Sequence, residues 1–201
     1  MSNKPKPKSP GKRVAVDEVV SGDSRLKKLI VPLLGIILVG GIIAIVLLSP
    51  PELKGVPDGT QTLAVGDPVH VEGPVAPSNE VPAGGPHAGI WQNCGFYDSQ
   101  VGTENILHSM EHGSVWVSYD PNLSSDEIQT LRGFASPNEK VLVTPVPGQS
   151  SPIIATAWGE QLELDDVSDP RLNQFVNEFT RGLTAPEPGG TCRGGVGTPQ
   201  F

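Results

Sequence analysis

Cysteine is scarce in this chain: its 201 residues hold two, Cys94 and Cys192. So far apart, they form neither a CxxC redox pair nor a zinc knuckle. Positive charge is scarce once Leu48 is passed. Of 14 Lys and Arg, eight precede Leu29, and the remaining six face 19 Asp and Glu, a net charge of −13. An acidic exterior of that kind argues against nucleic acid as a partner there. Several catalytic signatures are also missing. The run GGTCRGGVG follows no strand and lacks the Lys-Ser/Thr of a phosphate loop. No Ser-His-Asp order can be singled out, and no internal repeat is visible.

One stretch lacks charge altogether. Leu29–Leu48 reads LIVPLLGIILVGGIIAIVLL, 20 apolar residues. At ~1.5 Å per residue a helix of that length crosses the ~30 Å of bilayer hydrocarbon. A buried core helix would carry a polar face. A cleaved signal peptide would be shorter and would end at a small-residue cleavage site, whereas this run continues into Ser49-Pro50-Pro51. A transmembrane helix is therefore expected, with Pro32 in its first turn, where a missing N–H costs little. Ahead of it, eight basic residues face Asp17, Glu18 and Asp23, a net of +5. The positive-inside rule then puts the N-terminus in the cytoplasm and the C-terminal part outside. The expected organisation is a disordered basic tail over 1–28, the membrane helix over 29–48, a linker over 49–59 and an extracytoplasmic domain over 60–201. The tail would lie against anionic headgroups, and the membrane is the expected partner, with room for a membrane-protein partner that the sequence does not identify. In an oxidising compartment Cys94 and Cys192 are expected to pair. They would close a loop of roughly 100 residues, worth roughly 4–5 kcal/mol in the chain-entropy account. The alternative is a free or ligating thiol at Cys94.

The domain reads as α/β or α+β, a mixed sheet with flanking helices. A strand is expected near Val69–Val71, and Gly73–Gly89, dense in Gly and Pro, as loop. Glu104–His112 suits a short helix capped by Thr103 and stopped by Gly113. SVWVSY at Ser114–Tyr119 is a strand by content. Asn122–Ala135 is a helix opened by a capping box of Ser124 and Glu127. Val141–Val146 is a strand, and Ile153–Trp158 with Gln161–Leu164 forms a hairpin turning at Gly159-Glu160. Leu172, Phe175, Val176, Phe179 and Leu183 recur at helical spacing, which marks a last helix over Pro170–Gly182. This order resembles the second half of a thioredoxin-like fold in architecture, without its CxxC.

Of four histidines, His70 reads as an unremarkable strand residue. His87, His108 and His112 lie within 26 residues of one another and form the one chemical constellation in the sequence. If helical, His108 and His112 share a face at about 6 Å and could hold an ion through nitrogens at ~2.0–2.1 Å, with Glu111 beside them. As a strand they would stand about 13 Å apart, too far for one ion.

GPHAGIWQNCGFY followed by NILHSMEHGSVWVSYDP resembles the family known as domain of unknown function 3105. The likeness extends over roughly Val65–Gly197 and includes VLVTPVPGQSSPIIATAWGEQLELD and DPRLNQFVNEF. The lead-in to the first histidine is altered here to Pro82-Ala83-Gly84-Gly85-Pro86. The resemblance implies a membrane-anchored bacterial protein and brings no activity with it.

Three readings of the histidines stay open. The first is a copper or zinc site formed by His87, His108, His112 and Glu111, with Met110 as a further candidate that would favour Cu(I). The second takes His-x-x-Glu-His as the inverted zinc-peptidase spelling, with Glu111 as general base and Glu127 as third ligand. The third is metal-free: the side chains bond one another and the backbone, and the domain is an interaction or assembly module. No catalytic residue is assigned. Asp165, Asp166 and Asp169 read as a solvated loop with a helix cap rather than a calcium loop.

Overall fold

The computed structural model of the chain describes residues 32–43, 53–135 and 140–201. It divides into two units, Met1–Pro51 and Glu52–Phe201. In the first, residues 32–43 form a helix, α1, with every residue exposed. The rest of the expected membrane span, and the tail at 1–28, lie outside the described residues. Among the described residues no helix is long and apolar enough to cross a membrane.

The second unit is a six-stranded mixed sheet of order β1-β6-β5-β3-β4-β2. Its strands are β1 (Gln61–Thr62), β2 (Gly95–Phe96), β3 (Val115–Tyr119), β4 (Val141–Pro145), β5 (Ile153–Ala157) and β6 (Glu160–Leu164), and its helices are α2 (Thr103–Glu111), α3 (Ser125–Arg132) and α4 (Pro170–Phe179). β2, β4 and β3 run parallel, while β5, β6 and β1 pair antiparallel. The central strands are buried along their whole length, and alternation assigns their side chains to opposite faces. Val115, Val117, Tyr119, Val141, Val143, Ile153 and Ala155 join Leu131 of α3 and Leu172, Phe175 and Phe179 of α4 in one core. Trp116 and Leu142 point the other way and pack with Ile106, Leu107 and Met110 of α2.

The expected helices and strands form where the patterns put them, with local corrections. Ser124 and Glu127 make the capping box of α3, and Asp169 caps α4 through the Arg171 N–H. Thr103 caps nothing. It is the first residue of α2, Gly102 is the N-cap and no side chain supplies the bond. The hairpin turns at Trp158-Gly159, because Glu160 already belongs to β6. The strand expected near Val69–Val71 is reduced to one parallel bridge between His70 and His87.

Cys94 and Cys192 are joined in a disulfide, with Cα atoms 5.4 Å apart. The bond fastens the C-terminal segment along residues 92–96. Cys94 N–H donates to the Cys192 carbonyl, Val196 N–H to that of Trp91, and Gln200 N–H to that of Phe96. The Asn93 amide donates to the carbonyls of Gly195 and Gly197.

Candidate metal centre

The site is assembled from three segments around α2. The helix itself supplies His108 and Glu111, one turn apart on its buried side. It ends in a Schellman arrangement: Gly113 N–H donates to Met110 O at 2.9 Å and Ser114 N–H to Ser109 O at 3.1 Å. Gly113 closes it at φ 88°, a conformation that disfavours any side chain. A Cβ there would also stand 2.9 Å from Gly182 Cα.

The Gly/Pro-rich loop supplies His87. It docks along α2 through Ala88 N–H to Glu104 O and Gln92 N–H to Asn105 O, both 3.0 Å, and through the Asn105 amide to Ile90 O at 2.7 Å. The third segment supplies His70. Val71 N–H donates to His87 O at 2.8 Å and His87 N–H to Val69 O at 3.0 Å, so the bridge places the two imidazoles side by side.

The rings of His70, His87 and His108 form a triangle with every centroid separation 5.0 Å. A ligand atom from each of these three, with one from Glu111, lies within 4.8 Å of all the others. His87, His108 and Glu111 are buried and His70 is exposed, so the cluster opens to solvent on the His70 side.

The hydrogen-bond pattern fixes the tautomers. His87 Nδ1 is 2.9 Å from Gly85 O, His108 Nδ1 is 2.7 Å from Ala88 O and His112 Nδ1 is 2.8 Å from Thr191 O. A carbonyl only accepts, so each Nδ1 carries a proton, and in a neutral ring each Nε2 then keeps its lone pair. This is the orientation in which metal-bound histidines are held, with the other ring nitrogen bonded to backbone or carboxylate. For His108 the imidazolium is further disfavoured: burial lowers its pKa most, and His112 and His87 lower it too, against the raising effects of Ala88 O and Glu111.

His87 is the most constrained member. Its side chain is completely buried, and its Nε2 lies 3.0 Å from Glu111 Oε2. A neutral ring with its proton on Nδ1 would set a lone pair against a carboxylate. Either a second proton or a cation must sit between these groups. Around an ion with bonds of ~2.0–2.2 Å, such a spacing corresponds to a ligand–metal–ligand angle of about 90°.

The expected residues divide between two groups. His87, His108 and Glu111 come together. His112 is the C-cap of α2 and its ring is 4.7 Å from that of His108, but its ligand atom groups with Glu111 and Glu187. Met110 is fully buried in the apolar cluster with Trp116 and Trp158, and as a packed thioether it is replaced in the donor set by His70. Glu127 is occupied at the start of α3, where its carboxylate accepts from Ser124 N–H and Oγ–H. Capping α3, Glu127 is not the third ligand that the peptidase arrangement asked of it. His70 and Glu187 escaped sequence reasoning. Both lie in Pro/Gly-rich segments, and only the bridge to His87 and the disulfide-held tail bring them in.

Trp91 lines the cluster, its ring 5.6 Å from His108 and 5.2 Å from His112. Among the described residues its buried indole N–H has no acceptor. Trp158 meets His87 edge-on at 5.9 Å.

No curated protein and no solved structure matches the chain. The family described as protein of unknown function (DUF3105) matches residues 69–194, more than half of the chain, and the chain belongs to that family.

Proposed function

We propose that this protein is a membrane-tethered extracytoplasmic accessory domain that binds a transition-metal cation through His70, His87, His108 and Glu111. One observation carries the reading: the buried Nε2 atoms of His87 and His108 converge with a buried carboxylate. Both rings are held with a proton on Nδ1 by backbone carbonyls. Three imidazoles and one carboxylate suit zinc first and copper(II) second. With Met110 in the core, the thioether argument for Cu(I) falls away. Because each ligand must be deprotonated, affinity should fall as pH drops through the imidazole range.

The tether rests on the sequence, and the described part of α1 is consistent with it. Leu33, Leu34, Ile36, Ile37 and Leu38 are all more than half exposed, a surface that suits lipid better than water. In this reading the acidic domain lies outside the cell and the basic tail inside. The thioredoxin-like reading rests on architecture alone, on the adjacent order β6, β5, β3 and β4.

A metal-free interaction module is the competing reading. It has one observation in its favour: 3.0 Å is also an ordinary length for a charge-assisted bond between imidazolium and carboxylate.

Elemental analysis and zinc titration calorimetry on the full-length chain, purified without a chelating tag, separate the two. At least one tightly held equivalent is expected, and His108→Ala should lower the affinity at least 100-fold. A wild-type chain that neither carries nor takes up metal would leave the interaction module standing. Protease added to intact cells should digest the domain and spare the Lys-rich tail; a protected domain would overturn the orientation.

A further inference from the structure

Beside the first cluster stands a second, assembled by the C-terminal segment. His112 is four residues on from His108, and its Nδ1 donates to Thr191 O at 2.8 Å. In the neutral ring its Nε2 then presents a lone pair from a side chain only 8% exposed, and the Glu187 Oε2 facing it is 3.9 Å away, too far for a hydrogen bond. A nitrogen of His112, an oxygen of Glu187 and an oxygen of Glu111 lie within 4.8 Å of one another. Glu111 thus belongs to both clusters, and it has two carboxylate oxygens to offer. On its His87 and His108 side only Oε2 is engaged.

The backbone around this second cluster is tightly specified. Glu187 N–H donates to Glu111 O at 3.0 Å, and Gly190 N–H returns to Glu187 O at 3.3 Å. Gly190 is pressed against His112: a Cβ there would stand 2.4 Å from the ring's Cγ. Two residues on, Cys192 pins the segment to Cys94. Lys140 Nζ donates to His112 O at 2.8 Å, on the backbone side and away from the ring nitrogens.

We propose that His112, Glu187 and Glu111 form a second divalent-cation subsite, with the Glu111 carboxylate shared between it and the first. The protein then holds a pair of zinc ions with a bridging glutamate. The arrangement resembles two-metal sites in general, where ions about 3.5–4 Å apart are held by shared ligands. For its partner ion the inference rests on the first site.

Zinc stoichiometry tests it, measured on the full-length chain by calorimetry with ZnCl2 and by elemental analysis after gel filtration. The wild type should take two equivalents. Glu187→Gln, a change at an exposed side chain with little claim on the fold, should take one and keep the affinity of the remaining ion within about threefold. His112→Gln should behave alike, while His108→Ala should lose the first ion. Two equivalents in Glu187→Gln would overturn the assignment of Glu187. One equivalent in the wild type, unchanged in Glu187→Gln, would overturn the second subsite and leave the first standing. No bound zinc in the wild type would remove both.

Discussion

The two faces of the sheet solve different problems. On the face covered by α3 and α4, Val, Ile and Ala of the central strands pack against Leu and Phe of the two helices. On the face covered by α2 the same strands present Trp116, Ser118, Thr144 and Thr156, all buried, and the covering layer carries the histidines. Buried polar groups need partners. Trp116 Nε1 finds Thr144 Oγ1 at 2.8 Å, Ser118 Oγ donates to Ile154 O, and Ser109 Oγ donates to Gln92 O at 2.6 Å. Hydrophobic burial is non-directional, so the first face secures stability without fixing any one atom. The second fixes atoms and depends on partners from distant segments.

That contrast can be broken by mutation. Phe175→Ala, at a fully buried position, should lower stability by about 3–5 kcal/mol in urea unfolding. It should leave the affinity of any folded fraction for zinc unchanged; a matching loss of affinity would show the faces to be coupled. Cys192→Ser should cost about 2–5 kcal/mol through the lost cross-link. Unlike the first change, it should also abolish the second zinc equivalent, because Glu187 and Thr191 lose their anchor. Thr144→Val strands the buried indole N–H of Trp116 and should cost about 1–3 kcal/mol. Val117→Thr, a change of similar size on the opposite face, buries a hydroxyl among apolar neighbours and should cost at least as much. A negligible cost for Val117→Thr would blur the distinction between the faces.

Sequence reasoning succeeds where periodicity or a local motif is strong. SVWVSY, VLVTP and the 3.6-residue spacing of Leu172, Phe175, Val176 and Phe179 announce β3, β4 and α4, and Ser124 with Glu127 announces α3. It misses β1 and β2, each two residues long, because two residues carry no period. His108 and Glu111 are legible as a helical pair. His70 is not, since its position comes from one bridge to a residue 17 places away rather than from any local pattern. Glu187 is hidden for the same reason. The one clue to it in the sequence is Cys192, whose pairing with Cys94 draws the whole tail toward α2.

That tail also sets an order of events. A ribosome delivers Glu187, Thr191 and Cys192 after every strand and helix of the domain has been made. Until Cys192 reaches Cys94, the carbonyl that orients His112 and the carboxylate that faces it are not yet held in position. The sheet can therefore form first, and the proposed second subsite would be complete only in a finished, oxidised chain. On the proposed pair of ions, the Cys94–Cys192 disulfide would act as a maturation checkpoint, since it holds the tail that carries Glu187 and Thr191.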